Sequence, residues 1–259
     1  MEKKISEIKK EFETAGTEKL SELFVCYADD SRAGVSGLIK QYKRKLEKLE
    51  QERARLETMR AYERQYEHLG YVCGIDEAGR GPLAGPVVAG AVILPPDCEI
   101  LWLNDSKQLS EKKRETLYDE ILQKAIAAEV GIIGPERIDE INILQATYEA
   151  MRQAVAKLKM RPQVLLNDAV TIPGLELPQV PIIKGDAKSL SIAAASVLAK
   201  VTRDRLMKEY DALLPEYGFA GHKGYGSSAH IEAIKKYGPS PIHRRTFLKN
   251  FMPEKDQEK

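Results

Sequence analysis

Two adjacent carboxylates, Asp76-Glu77, close a short apolar run within residues 71–96 (YVCGIDEAGRGPLAGPVVAGAVILPP), and Gly79-Arg80-Gly81 follows at once. Acids beside a glycine-rich turn suit a divalent cation and an anionic substrate. Oxygen ligands of this kind favour magnesium or manganese, with waters and substrate phosphate oxygens completing the coordination. Two further acids stand in the same sort of place: Asp168 follows the apolar run 163–167, and Asp186 follows the run 180–184 with one glycine between. An Asp after a strand is commonly a turn former or helix cap. Three of them, one with Glu77 attached, point instead to loops converging at strand ends of an α/β sheet. Four clustered carboxylates would raise one another's pKa unless cations were present. A two-metal site of this type can activate water and stabilise the leaving oxygen in phosphodiester cleavage.

The elements that must hold these acids can be read from hydrophobic periodicity. The runs around Asp76 and over residues 87–94 predict a strand, a tight turn and a second strand. Consecutive strand residues point to opposite faces, so Asp76 and Glu77 can share a site only if the strand ends there; the nearby Gly79 favours such an ending. A polar loop, Asn104-Asp105-Ser106-Lys107, precedes a helix that Ser110 begins and that runs to about residue 128. A short strand is predicted over 129–133, helices over 136–141 and 144–159 with a weak break between them, and strands over 163–167 and 180–184. A long helix follows from Lys188 to about Leu214, and its small-residue segment SIAAAS allows close packing on a sheet. Strands alternating with helices give an α/β domain over 71–251.

Residues 1–70 read differently. They are rich in Glu, Lys, Leu and Arg, contain no proline, and favour helix throughout. One helix is expected over 3–13, a second with Thr17 at its cap, and a third running from the Asp29-Asp30-Ser31 cap to about residue 67. From Ser31 to Arg64 there are ten basic residues against five acidic ones. Such a run is either a solvated face or a helical arm that touches nucleic-acid phosphates. The tail at 252–259 is expected to be disordered. The formal net charge of +1 gives no global nucleic-acid signal, and three distant cysteines without a CxxC indicate reduced thiols in a cytoplasmic protein. No run approaches the ~20 apolar residues of a membrane span, and the first residues lack an apolar signal core.

Four segments carry a resemblance: GIDEAGRGPLAGPVVAGAVIL, NDSKQLSEKKR, IIKGDAKSLSIAAASVLAKVTRDR and HKGYGSSAHIEAIKKYGPSPIHRRTF. Together and in this order they resemble the prokaryotic type 2 ribonuclease H family, ribonuclease HII, over residues 71 to about 251. Nothing is carried over to the first seventy residues. The resemblance implies a ribonuclease H-like α/β fold: a central mixed five-stranded sheet flanked by helices with a helical C-terminal portion, to which this chain adds an all-helical N-terminal extension. It also implies hydrolysis of the RNA strand of RNA–DNA hybrids, and cutting 5′ of single ribonucleotides in duplex DNA, with Mg²⁺ or Mn²⁺ as cofactor and the enzyme a monomer. By motif, Asp76 and Glu77 match the family's acid pair, Asp168 its third acid and Asp186 its fourth. Asp76 would bridge the metals and Asp186 would take a secondary or proton-handling role. Asp168 sits in LLNDAV, where many relatives place valine or isoleucine before the acid and glycine after it.

The same likeness implies that Gly79-Arg80-Gly81 senses the ribose 2′-hydroxyl through backbone groups and that Tyr225 stacks near the sugar at the RNA–DNA junction. Glycines let main-chain N–H and C=O groups approach a sugar, and the 2′-hydroxyl is the group that separates RNA from DNA. Lys188 and Ser189, at the start of the long helix, are either phosphate ligands or helix caps, and Lys107 is a further phosphate candidate. From Lys223 to Lys249 six Lys or Arg (Lys223, Lys235, Lys236, Arg244, Arg245, Lys249) against Glu232 alone make the C-terminal portion a basic patch. His222, His230 and His243 lack metal-ligand spacing. Two other readings compete: a DNA-acting nuclease or strand-transfer enzyme of the same fold, which the glycine loop disfavours, and a non-catalytic hybrid-binding protein, which the full set of acids disfavours.

Overall fold

A computed structural model of the chain describes residues 3–249; the tail expected at 252–259 lies outside them. The chain divides into two compact units, one ending at Glu57 and the other beginning at Thr58. The first contains α1 (Ile5–Thr14), α2 (Thr17–Cys26) and most of α3 (Ala33–Met59). Its core is Ile8, Phe12, Leu20 and Val35, with Phe24, Leu38 and Tyr42 packed around them. These are the apolar positions that recur at threes and fours, as amphipathic helices require. Polar Lys40, Arg44, Lys45 and Lys48 follow one another on α3.

The single helix expected to reach residue 67 is broken. Arg60 (φ −82°, ψ −2°) separates α3 from α4 (Ala61–Tyr66). The break lets Tyr62 and Tyr66 pack against Val72, Val164, Leu166, Ile182 and Ile192. Residues 58–69 therefore belong with the second unit, and the division falls earlier than the expected boundary at residue 70.

The second unit is built on one mixed sheet in the order β3-β2-β1-β4-β5. Its strands are β1 (Val72–Ala78), β2 (Val87–Ile93), β3 (Ala127–Ile133), β4 (Val164–Asp168) and β5 (Gln179–Ile182). Strands β1, β2 and β3 form an antiparallel meander, and β4 and β5 continue from β1 in parallel. Helices α5 (Glu111–Lys124), α6 (Pro135–Lys157), α7 (Leu190–Leu213), α8 (Phe219–His222) and α9 (Ser228–Tyr237) complete it. The five-stranded mixed sheet is the architecture the resemblance implied.

Strand alternation divides the core in two. Cys73, Ile75, Val87, Ala89, Ala91 and Ile93 face α6, where Ile138, Ala146, Ala150 and Met151 close the layer. On the other face α7 lies directly on the sheet. A Cβ at Gly74 would stand 2.1 Å from the Ser191 carbonyl carbon, and one at Gly90 2.4 Å from the Ala195 oxygen. The glycines and the SIAAAS segment are thus two halves of one close contact.

Some boundaries differ from the pattern reading. Helix α5 stops at Lys124 and β3 starts at Ala127, two residues before the expected 129, because Ala127 and Ala128 extend the ladder to Ile93 and Val92. The weak break near 142 is a kink at Asn142 (φ 65°, ψ 164°), whose Oδ1 accepts from the N–H groups of Leu144 and Gln145 and so caps the second half of α6. Among the described residues no helix is long and apolar enough to cross a membrane.

Candidate active site

Asp76 and Glu77 lie within β1, which runs on to Ala78 instead of ending before them. Alternation sets Asp76 on the face of Gly74, toward α7, and Glu77 on the opposite side. The Glu77 N–H donates to Asp76 Oδ1 at 2.7 Å, and Arg80 Nη1 reaches Glu77 Oε1 at 3.4 Å. Strand β4 runs parallel beside β1 with Ile75 paired to Asn167, so Asp76 and Asp168 occupy neighbouring strands at the next step of the register. Asp168 Oδ1 accepts from the Gly185 N–H at 2.7 Å, which draws the turn Gly185–Ala187 and its Asp186 against the end of β4.

The electrostatics tie the four acids together. Asp76, 4% exposed, is held well above the usual carboxylate range by burial first, then by the charges of Glu77 and Asp168. Glu77 is raised by burial and by Asp168, against the opposing pull of Arg80 and Lys107. Asp186 is raised by burial, Asp105 and Asp168. Burial works against the charge of Lys107, yet Asp105, Asp76, Asp186 and Asp168 outweigh it and hold the ammonium above its ordinary value. One lysine thus feels all four acids at once.

Two serines in this neighbourhood escaped the sequence reading. Ser196, inside the SIAAAS segment, stands 2.9 Å from the Ser106 hydroxyl, and its hydroxyl opposes the rise of the neighbouring Asp76. Ser106 lies in the loop that carries Lys107. That loop is fixed by Asp105 Oδ1, which accepts from the Lys107 N–H, and by Arg114, whose Nη1 donates to the Ser106 carbonyl at 3.0 Å. Only the repeated Ser in otherwise apolar surroundings hinted at this use.

Among the described residues no three acids, cysteines or histidines stand close enough to form a ready-made metal cage. Asp76 and Glu77 leave β1 on opposite faces, yet Glu77 still couples to Asp168 and Lys107 near the strand's end, so the strand need not stop for both to serve one site. Asp168 spends an oxygen on Gly185. The donor set still fits a hard divalent cation. It is all oxygen, half-buried or buried, and mutually repelling, so a cation among these groups would offset the burial and repulsion that raise Asp76, Glu77 and Asp186.

Gly79 has φ +93° and a Cβ there would meet Arg203 Nε at 2.1 Å, so the chain itself requires this glycine. Gly81 is different: a Cβ would find only Tyr225 Cε1, at 3.9 Å. The exposed Tyr225 ring thus flanks the glycine loop, bringing together two elements that lie far apart in the sequence. The Tyr225 carbonyl is 2.9 Å from His230 Nδ1, and His230 Nε2 is 2.9 Å from His243 Nε2. His243 Nδ1 accepts from the Ser240 N–H, which leaves its Nε2 to donate to His230 and His230 Nδ1 to donate to Tyr225. Burial, then His230, pushes His243 down to about 4, so the relay stays neutral.

Several other candidates are placed differently from the phosphate reading. Ser189 is fully buried; its hydroxyl accepts from the Ile192 N–H and donates to Glu63, which is the capping role. Lys188 is exposed beside it. Arg244 is wholly buried and cannot belong to a surface basic patch, and Lys223 bonds the Ala220 carbonyl.

Glu63 on α4 was not anticipated. Its Oε1 accepts from the Ser189 hydroxyl (2.6 Å), the Ser191 N–H (2.8 Å) and the Ser191 hydroxyl (2.7 Å). A carboxylate at the start of α7 also complements the helix dipole. Removing it strands buried donors, so Glu63→Ala should cost about 1–3 kcal/mol in urea denaturation. An unchanged midpoint would show that these bonds contribute nothing. The same contact means that deleting residues 1–69, which removes Glu63, should destabilise the remainder.

A family model described as Ribonuclease HII matches residues 73–250, and one described as Ribonuclease HII N-terminal domain matches residues 4–67. The second match extends the likeness to the helical extension, to which the motifs carried nothing over. A ribonuclease HII of Lachnoclostridium phytofermentans is 63% identical over 247 residues, covering 95% of this chain and 97% of that relative. One of Clostridioides difficile is 51% identical over 253 residues, covering 97% and 99%. Among solved structures, the ribonuclease H2 of Pyrococcus horikoshii aligns at TM-score 0.59 and 31% identity, over 70% of this chain and 96% of that one. The PCNA:RNase HII complex from Archaeoglobus fulgidus gives TM-score 0.58 at 27% identity, over 71% and 97%. With both units matched and relatives alike over nearly their whole length, the chain belongs to the ribonuclease HII family of metal-dependent endoribonucleases.

Proposed function

We propose that this protein hydrolyses the RNA strand of RNA–DNA hybrids and cuts on the 5′ side of single ribonucleotides embedded in duplex DNA, leaving 3′-hydroxyl and 5′-phosphate ends. The observation that carries the reading is the shared field of Asp76, Glu77, Asp168, Asp186 and Lys107 beside an exposed glycine loop. The four acids would hold Mg²⁺ or Mn²⁺. Bound there, a divalent pair supplies activation of water and stabilisation of the departing 3′-oxygen.

The chain's own residues do the rest. The Glu77 N–H, through its bond to Asp76, and the Gly185 N–H, through its bond to Asp168, keep two carboxylates oriented before substrate arrives, with the Ser196 hydroxyl beside Asp76. Lys107, held by Asp105 and Arg114, offers its charge to a phosphate oxygen. Gly81 admits the sugar edge and Tyr225 offers a face for stacking. Lys40, Arg44, Lys45 and Lys48 on α3 supply basic charge for further phosphate contact. The reading keeps the protein cytoplasmic and monomeric.

Duplexes containing zero, one or four ribonucleotides test it. Mg²⁺-dependent incision is expected at one and at four, with the single cut mapping to the 5′ side of the ribonucleotide, and none in all-DNA. Equal cutting of all three would favour a DNA-acting nuclease, and binding without cutting would favour a non-catalytic role.

A further inference from the structure

Among the described residues Arg203 and Arg244 are the two largest fully buried side chains, and neither makes an ion pair. Burying a guanidinium without a carboxylate is costly unless its donors are satisfied. Here backbone carbonyls satisfy them. Arg244 donates from Nε to Gly85 (3.0 Å), from Nη1 to Arg80 (2.9 Å) and from Nη2 to Gly79 (2.5 Å). Arg203 donates to Pro86 (2.9 Å), Lys223 (2.9 Å) and Ala84 (3.0 Å). The Arg244 N–H also bonds the Leu83 carbonyl at 2.9 Å.

These bonds leave a definite remainder. Of the carbonyls from Gly79 to Pro86, only those of Gly81 and Pro82 are not taken by an arginine or its backbone. At the exposed tip, among the described residues, the N–H groups of Arg80 and Gly81 and the Gly81 carbonyl have no hydrogen-bond partner. Donors and an acceptor together are what a hydroxyl that both donates and accepts requires. A lysine could supply the charge of Arg244 but not three donors in one plane.

We infer that Arg244 is a specificity-positioning residue: by occupying the Gly79 and Arg80 carbonyls it fixes the loop tip so that the remaining backbone groups meet a ribose 2′-hydroxyl. This rests on the proposal that Gly79-Arg80-Gly81 reads the ribose. Arg244 does not touch substrate, and its effect passes through the loop.

The test uses the full-length protein and a duplex with one ribonucleotide. Arg244→Lys should lower kcat at least about 30-fold while KM changes less than about threefold, since surface phosphate contacts are intact. Amide hydrogen exchange should quicken at Leu83 and Gly85, whose N–H groups bond the Gly224 and Ile242 carbonyls, while β2 and α7 stay protected. If Arg244→Lys does not fold, Arg244→Gln, which keeps two donors, is measured in the same way. Gly81→Ala is run beside it. Lost cleavage in Gly81→Ala with normal kcat in the Arg244 variant sinks the role of Arg244 but keeps the reading of the loop. Normal cleavage in Gly81→Ala sinks both. A kcat loss accompanied by general exchange across β2 and α7 marks Arg244 as a stabiliser of the whole unit and also overturns the inference.

Discussion

Replacing Asp76 by Asn should lower cleavage of a single-ribonucleotide duplex by about 10³-fold or more, and in the absence of metal should make the protein more stable. Both effects have one cause. Asp76 is buried against Glu77 and Asp168 and is raised well above the ordinary value of 3.8. A carboxylate whose folded pKa is raised opposes folding once charged. The stability it permits is complete below its unfolded pKa, near 4, and is lost as pH rises toward the folded pKa. Above that point the penalty is constant. In EDTA, the Asn variant and the wild type should therefore melt together near pH 4 and diverge as pH rises, with the variant higher at pH 8. A gain of about 1 kcal/mol would appear as roughly 2–4 °C in a domain of this size. Saturating Mg²⁺ should narrow the gap, because the cation binds the folded wild type. Calorimetry across pH, with and without EDTA, reads all of this; an Asn variant less stable than the wild type at pH 8 in EDTA would contradict the assignment.

The two outer glycines of the loop should separate stability from function. Gly79→Ala is expected to destabilise by about 2–5 kcal/mol, combining a positive φ with a Cβ driven into a buried guanidinium. The neighbouring group cannot swing aside, because Arg203 is anchored to Pro86, Lys223 and Ala84. Gly81→Ala should leave the melting temperature within about 2 °C, since its Cβ meets only Tyr225 Cε1 at 3.9 Å. It should nonetheless reduce cleavage at a single ribonucleotide about 10²-fold, because the added methyl displaces the sugar from the loop. The protein gives no internal reason for glycine at position 81. Retained cleavage in Gly81→Ala would remove the loop from the substrate account.

How far these features were legible varies with their physical origin. Local signals translated directly. Ser110 caps α5, the alternating and small residues of 87–93 form β2, and the weak pattern near 142 is a kink at an asparagine that tolerates positive φ. The acids at 76, 168 and 186 were visible because strands and their ends have composition. What was invisible depended on partners distant in sequence. Arg244 reads as a surface charge until its three carbonyls, from residues 79–85, are in view. Glu63 reads as one more acid on a charged helix until Ser189 and Ser191 arrive from far down the chain. The division before residue 58, likewise, depends on Tyr62 and Tyr66 finding β1, β4 and β5. Helix periodicity alone gives no reason to break at Arg60.

The central claim is that carboxylates from β1, β4 and the turn after β5 serve one set of cations. Counting bound Mn²⁺ by electron paramagnetic resonance, with the wild type and Asp76→Asn each held on an uncleavable duplex carrying a single ribose-like nucleotide, tests it most directly. Two ions per wild-type molecule, with at least one lost in Asp76→Asn, is the predicted result. The same count in both proteins, or none above the duplex alone, would contradict it.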